Sequence, residues 1–511
     1  MLRTRRAMTT ADANPGYASL PVPLAHARSG VMATAVVLGA ALARLYLIHP
    51  LGLTDTEAYY AAWARFPSAS YYDHPPMIAW MIGLTTRASD SATAVRLGPL
   101  LCGVAFAALL YRFTRDLFTP RAGLFAVVIA TALPVVSATG FIANPEGPLL
   151  PLWVLVLWSL HGLGVDRAAW RPLALGAAVG VAFLCKFTAV LAVPVAALYL
   201  ASSRETRGWF RRPSLYLGGA LALLLAAPVI GWNLHHHWPS LQLHLVERMP
   251  PGAEGAYAHH AARLAVGQLV LFHPLILPGL LAAAVLAVRR AVGDRRHRLL
   301  AVASAPVLGF FFAVMVRAHD AEAHWTLVGY VPLVIAAAVW LDEVFDRASA
   351  RLARYLRACV ALSVAVLSVA VIHSRSTALL RLLPAGDGDP VNETLGWDEL
   401  RAAIALEAPR LGPGVVLASS HNVLCGHLLT ETRDAPRTYC VSPARTAFDF
   451  LDRRTPPPGA PVLYIDSARY PGDPAALLRG YRCRDLRRVR VTRGPREIGS
   501  FRLAACAVNT R

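Results

Sequence analysis

The stretch Thr54-Asp55-Thr56-Glu57-Ala58-Tyr59-Tyr60, followed by Ser70-Tyr71-Tyr72-Asp73-His74-Pro75-Pro76, decides the fold. It packs carboxylates, aromatics and a histidine between two apolar runs, about 31–48 and 93–112. A polar loop wedged between such runs lies against a bilayer. That many polar groups converging there mark a site rather than a connector.

Outward from this loop the chain stays apolar. Hydrophobic residues make up 56% of it and charged residues 16%, with a mean hydropathy of +0.45. That composition is an α-helical polytopic membrane protein, not a soluble domain. At roughly 20 apolar residues per crossing, about eleven spans are expected: near 31–48, 93–112, 122–141, 148–164, 172–185, 187–201, 214–232, 263–288, 299–317, 325–342 and 356–373. The fifth and sixth are short and poorly separated around Lys186.

The net charge of +19 follows from topology, not from nucleic acid, because no recognition motif accompanies it. Arginines cluster at 112–121, 167–171, 204–212, 289–298 and 347–357 and are sparse in the intervening loops before the tail. By the positive-inside asymmetry these clusters are cytoplasmic, and an odd number of spans sends the tail outside. Arg3, Arg5 and Arg6 precede an apolar core that begins only near Val31. The expectation is an uncleaved signal anchor, with the N-terminus cytoplasmic. The organisation expected is a tail at 1–30, a membrane domain at 31–383 whose first outside loop is 49–92, and an outside domain at 384–511.

That last part changes character. Helix-like stretches (Trp397–Leu406, Val423–Glu431, Pro474–Arg479) alternate with strand-like ones (Val415–Ala418, Val462–Ile465, Val489–Val491, Phe501–Cys506), which predicts a small α/β domain. Of seven cysteines, Cys102, Cys185 and Cys359 lie in apolar spans. Cys425, Cys440, Cys483 and Cys506 lie in the tail, allow three pairings, and form no CxxC zinc pattern.

The unusual polar residues gather in the outside segments 49–92, 142–147 and 233–262, and in the short loop Arg317–Trp325. Asp55 and Glu57 stand just past the first span, where a carboxylate serves as general base or caps a helix. The double proline after Tyr72-Asp73-His74 fixes an extended backbone and presents that pair together. Lys186 is the only lysine in the chain. At a span end it either holds a phosphate as a point charge or snorkels to the interface, and Arg96 has the same two readings. The run His235-His236-His237 is a weak metal signal, since consecutive residues do not face one way on a helix.

Taken together these segments resemble bacterial GT-C membrane glycosyltransferases, in particular the dolichyl-phosphate-mannose–protein mannosyltransferase family (glycosyltransferase family 39) and the lipid A aminoarabinose transferases. The resemblance rests on Thr56-Glu57-Ala58-Tyr59-Tyr60, Tyr71 through Pro76, Asn144-Pro145-Glu146-Gly147, Lys186-Phe187-Thr188, Trp232 through Trp238, Ala323-His324-Trp325 and Phe448-Asp449-Phe450-Leu451. It departs from the family at Thr56, where an aspartate is expected and Asp55 is displaced by one residue, and at Glu146, which stands for an aspartate. A one-residue shift on a helix turns a side chain by about 100°.

The resemblance implies inverting transfer of a sugar from a polyprenyl-phosphate donor to a lipid, glycan or protein acceptor outside the membrane. Asp55, with Glu57 behind it, is the expected base. Lys186, Arg96 and Arg317 are expected on the donor phosphate. Tyr59, Tyr60, Tyr72, Asp73, His74, Trp232, Asn233 and His324 are expected around the substrates. Some relatives use a divalent cation, for which Glu146 and His74 are the candidate ligands. A transporter or flippase, or a non-catalytic assembly protein for lipid-linked sugars, shares the spans. Such a protein calls for polar residues at midplane and repeated halves, whereas here the polar groups lie in loops and no repeat is seen.

Overall fold

The computed structural model describes residues 22–49, 51–249, 257–318, 321–347, 350–381, 389–431 and 437–508. Most of the expected N-terminal tail, His319-Asp320 and the boundary at 384 lie outside the described residues.

Among the described residues, fourteen helices of nine or more residues build the membrane part: α1 (Val22–Ile48), α2 (Asp55–Ala64), α3 (Met77–Thr85), α4 (Ala92–Leu117), α5 (Pro120–Ala132), α6 (Glu146–Val165), α7 (Arg171–Cys185), α8 (Ala192–Ala201), α9 (Pro213–His235), α10 (Tyr257–Leu271), α11 (Ile276–Arg290), α12 (Arg295–Arg317), α13 (Leu327–Phe345) and α14 (Ala350–Arg375). Among the described residues seven helices are long and apolar enough to cross a bilayer, or nine crossings if each of two bent pairs is one span. These nine and two shorter apolar helices match the eleven segments expected, one for one. The other two apolar segments are α5 and α7, of 13 and 15 residues.

Backbone chemistry explains why some of these segments are short or bent. Pro134 cuts the run at 122–141 after α5, because its ring and missing N–H end a helix. The run at 263–288 is two helices, α10 and α11, bent by 100°. The bend falls at His273, whose φ of 67° lies in the left-handed region, just before Pro274.

The bundle core gathers around α13, whose Ile335 and Ala338 are fully enclosed. Helices α7 and α9 cross backbone to backbone at Gly176 and Gly218, where a Cβ on either would collide with main-chain atoms of the other helix. Small residues allow this approach in a membrane interface.

Beyond the bundle stand α15 (Trp397–Glu407), β1 (Val416–Ser419), α16 (Asn422–Glu431), β2 (Thr438–Cys440), β3 (Val462–Ser467), β4 (Tyr481–Arg493) and β5 (Arg496–Val508). The sheet order is β2-β1-β3-β5-β4. Its β2-β1-β3 part is parallel, and β5 joins β3 and β4 antiparallel. Disulfides join Cys425 to Cys440 and Cys483 to Cys506. The three span cysteines stay reduced. Among the contacts that tie the sheet domain down, two stand out. His373 of α14 and Arg493 of β4 share the Asp389 carboxylate at 2.7 and 2.8 Å. Helix α16 lies on α2 so closely that a Cβ at Gly426 would sit 2.9 Å from the Tyr59 backbone.

Candidate functional site

Helix α2 organises the site. Thr54 caps it, accepting from the Glu57 amide while the Glu57 carboxylate accepts from the Thr54 amide at 3.0 Å. This reciprocal box satisfies two donors of the first turn. From there the side chains of α2 diverge by helical spacing into separate environments.

Glu57 is fully enclosed. Its carboxylate accepts from Arg96 Nε at 2.8 Å and from the Ala143 amide at 3.0 Å. Arg96, equally buried, also donates to the Leu51 and Gly52 carbonyls. The two residues expected as reserve base and phosphate ligand are thus each other's partners, and together they pin the start of the loop.

Asp55 turns to the sheet domain. It accepts from Tyr470 at 2.8 Å and lies 3.3 Å from His427 Nε2 and 3.1 Å from Arg469. Burial alone would raise its carboxyl, but these partners hold it below the ordinary value. His427 is itself stacked on Trp397. Asp55 therefore docks the two halves of the molecule.

The next turn of α2 meets the second half of the opening motif. Tyr71 stacks on Trp63 and donates to the Trp63 and Phe66 carbonyls, which anchors the turn closed by the Tyr71 amide on the His74 carbonyl. Asp73 accepts from Tyr59 at 2.7 Å. Tyr60 stands beside His74. Burial raises the Asp73 carboxyl above its ordinary value, with Tyr59 and Arg248 only partly offsetting it. Burial, then Lys186 and His244, drives the His74 imidazole well below its ordinary value, so it is neutral near pH 7.

Two backbone irregularities complete the cluster. Lys186 is extended between α7 and a 3₁₀ turn at Phe187–Leu191. Its ammonium is buried against Glu146, the first residue of α6. His324 joins Glu146 at 3.0 Å through Nε2 and Glu322 at 3.1 Å through Nδ1. The His324 hydrogen bond holds Glu322 below its ordinary value.

The second irregularity follows α9. His237 and Trp238 both have positive φ, 62° and 58°. Two such non-glycine residues in succession are a strained turn of the kind found at sites. It folds 239–248 back over the opening motif, where a π-helical turn spans Leu243–Glu247. There His244 Nε2 meets the Asp73 carbonyl at 3.0 Å, Arg248 lies 3.4 Å from His244, and Tyr72 donates to Glu247 at 2.7 Å. Burial, then Arg248, pushes His244 down to about 4.

The cluster thus unites Tyr60, Tyr72, Asp73, His74, Glu146, Lys186 and His324, all singled out in the sequence. Trp232 borders it, packed with Phe450, which stacks on Tyr72. Asn233 donates to the Val229 carbonyl one turn back in α9. Arg317 is exposed at the end of α12 and makes no polar contact among the described residues. Neither Asp55 nor Glu57 contacts Lys186.

Sequence reasoning missed His244, Glu247, Arg248 and Glu322 as individuals, although their segments were marked. It missed His427, Arg469 and Tyr470 outright, because partners almost 400 residues from Asp55 leave no local pattern. For a divalent cation the fit is poor. Glu146 is taken by Lys186 and His324, and among the described residues no three His, Cys, Asp or Glu side chains converge on one point.

Comparison with known proteins adds to this geometry. Residues 73–232 match the family model for dolichyl-phosphate-mannose-protein mannosyltransferase. Lipid A galacturonosyltransferase RgtD of Rhizobium johnstonii is 27% identical over 435 residues, covering 82% of this chain and 85% of that protein. Among solved structures, ArnT of Cupriavidus metallidurans, in the apo state and bound to undecaprenyl phosphate, aligns with a TM-score of 0.60 at 18% identity. The alignment covers 94% of this chain and 98% of ArnT. The apo oligosaccharyltransferase of Archaeoglobus fulgidus aligns with a TM-score of 0.51 at 12% identity, over 85% of this chain and 69% of its own. The fold is therefore the ArnT-like GT-C fold with a five-stranded sheet domain.

Proposed function

We propose that this chain, a membrane glycosyltransferase of the GT-C type on those likenesses, moves a sugar from a polyprenyl-phosphate carrier to a lipid acceptor of the lipid A class. The transfer takes place at the extracytoplasmic face of a bacterial inner membrane, with inversion at the sugar carbon. One observation carries the reading: the only lysine of the chain is buried at a helix break, beside Glu146 and His324 and under the His74–His244–Arg248 wall.

A buried ammonium tied to one carboxylate is well set to receive an anion that competes for it, because charge pairing is strong where water is excluded. In the step proposed, the acceptor hydroxyl oxygen bonds to the anomeric carbon while the bond from that carbon to the phosphate oxygen breaks. The polyprenyl phosphate leaves with the electron pair, and Lys186 with Arg248 meets the charge that develops on it. The proton of the hydroxyl passes to a carboxylate. We assign that role to Asp73, which shares the cluster, and whose raised affinity for a proton brings it nearer the working pH of a base. Asp55 and Glu57, committed to docking and to Arg96, hold α2 in place. Thr56 lies one turn before Tyr60 on the face of α2 that meets the cluster, so the displaced aspartate leaves the base to the neighbouring loop.

The pair of disulfides in the sheet domain supports the extracytoplasmic side, since such bonds persist in oxidising compartments. The test is transfer by purified protein from an undecaprenyl-phosphate sugar to lipid A, together with lipid profiling of a strain lacking the gene. Wild type yields glycosylated lipid A, and the deletion strain accumulates the donor. A protein that shifts the donor across vesicles without forming product would be a flippase, and the reading fails.

A further inference from the structure

A cavity of about 310 Å³ opens on another face of α2, away from the Lys186 cluster. Its floor is apolar and buried: Leu53, Ile82 and Val95 are at most 5% exposed. Its rim is cationic. Arg65, the C-cap of α2, and Arg87, on the loop between α3 and α4, both line it. Ala61 and Arg65 lie one turn apart, away from the face that carries Thr56 and Tyr60.

The charges are poorly spent within the protein. Arg65 reaches Asp90 only at 4.0 Å, with both side chains partly in solvent. An exposed pair at that distance contributes little. Arg87 is exposed and makes no polar contact among the described residues. Two guanidinium groups thus face one cavity with a single, loosely held carboxylate between them.

Position narrows the ligand. The cavity sits at the first residues of α4, a membrane-crossing helix, and Thr430 of α16 closes it from the sheet domain. That is the level of lipid headgroups. Guanidinium groups bind phosphate oxygens in pairs and more strongly than they bind neutral acceptors.

We propose that this cavity binds a phosphate-bearing headgroup, with Arg65 and Arg87 as its ligands and Asp90 as the group the phosphate displaces. The site is separate from the Lys186 cluster and needs nothing from the assignment of transfer to that cluster. It gives the chain a second anion-recognising surface at the junction of its two parts.

The test uses the full chain in phosphatidylcholine nanodiscs, with phosphatidic acid as the lipid probe and inorganic phosphate as the soluble one. Wild type retains phosphatidic acid over phosphatidylcholine, and Arg65→Gln with Arg87→Gln weakens that retention about tenfold, the loss of one or two charge-assisted hydrogen bonds. Arg65→Lys with Arg87→Lys keeps most of it. The arginine-dependent part persists in the Lys186→Met, Glu146→Gln pair, which separates it from any binding at the other cluster. Displacement by inorganic phosphate identifies the phosphate as the recognised group, and resistance to it identifies the whole lipid. The proposal is overturned if the glutamine variant retains phosphatidic acid as wild type does, or if wild type does not prefer it to phosphatidylcholine.

Discussion

At the scale of single residues, the buried charges separate structural from functional roles. Glu57 and Arg96 face each other without solvent, so Glu57→Gln leaves an uncompensated guanidinium and costs about 3–5 kcal/mol. The expected outcome is a lower melting temperature and poor yield, not a folded and silent enzyme. Lys186→Met leaves Glu146 with His324 as its remaining basic partner and should also lower the melting temperature. Adding Glu146→Gln should recover much of the stability but none of the transfer, a split that a melting curve and a product assay read separately. Asp73→Asn should abolish transfer while leaving the fold, because the amide still accepts from Tyr59; unimpaired turnover would remove Asp73 from the reaction.

The histidines make a prediction about pH. In the unfolded chain both imidazoles take up a proton as pH falls through about 6.5. In the fold His74 and His244 resist protonation, His244 down to about 4. The unfolded state therefore binds more protons across that window, and stability falls as pH drops through it. Asp73 acts oppositely, since its folded-state proton affinity is raised and its contribution weakens as pH climbs through the carboxylate range. His74→Gln with His244→Gln should flatten the loss of melting temperature on acidification; an unchanged slope would place the cause elsewhere.

At the scale of elements, the site is held by close helix contacts. Gly176 of α7 meets Gly218 of α9 with no room for a side chain, and α7 ends at Lys186. Gly176→Val should cost about 1–3 kcal/mol by overpacking and impair transfer by moving the lysine. A variant with full stability and activity would contradict the close packing.

Much of this level was legible in advance. The apolar runs mapped onto helices, and Trp397–Leu406 and Val423–Glu431 onto α15 and α16. What the pattern hid has physical causes. Pro134 and the left-handed His273 broke expected spans. The long β4 was read as only Val489–Val491, because arginines at 482, 484, 487, 488 and 490 mask its alternation. Those charges suit an edge strand, which is what the sheet order makes it.

At the scale of the whole molecule, the sheet domain completes the membrane domain's site loop. The opening motif identified the region at once, and the polar loops named most of the cluster. Which carboxylate belongs to which partner was not legible, because Asp55 meets His427, Arg469 and Tyr470 only through the docking of the sheet domain on α2. The Cys425–Cys440 disulfide closes a loop across that docking helix with a separation of 15 residues. Replacing both cysteines by serine should cost about 3 kcal/mol and loosen the contact to Asp55. Protease sensitivity of the sheet domain would report this, and unchanged resistance would show that the bridge is dispensable. A reporter fused after Arg511 should report the extracytoplasmic side, and a cytoplasmic signal would invert the proposed topology.

The most direct measurement is the affinity of the purified full chain for undecaprenyl phosphate, compared between wild type and Lys186→Met, with the Lys186→Met, Glu146→Gln pair as the folded control. Weakening of tenfold or about that order in both variants is the predicted result, one lost charge-assisted contact to a phosphate. Equal affinity in wild type and a folded variant would contradict the claim that this lysine meets the lipid-borne phosphate.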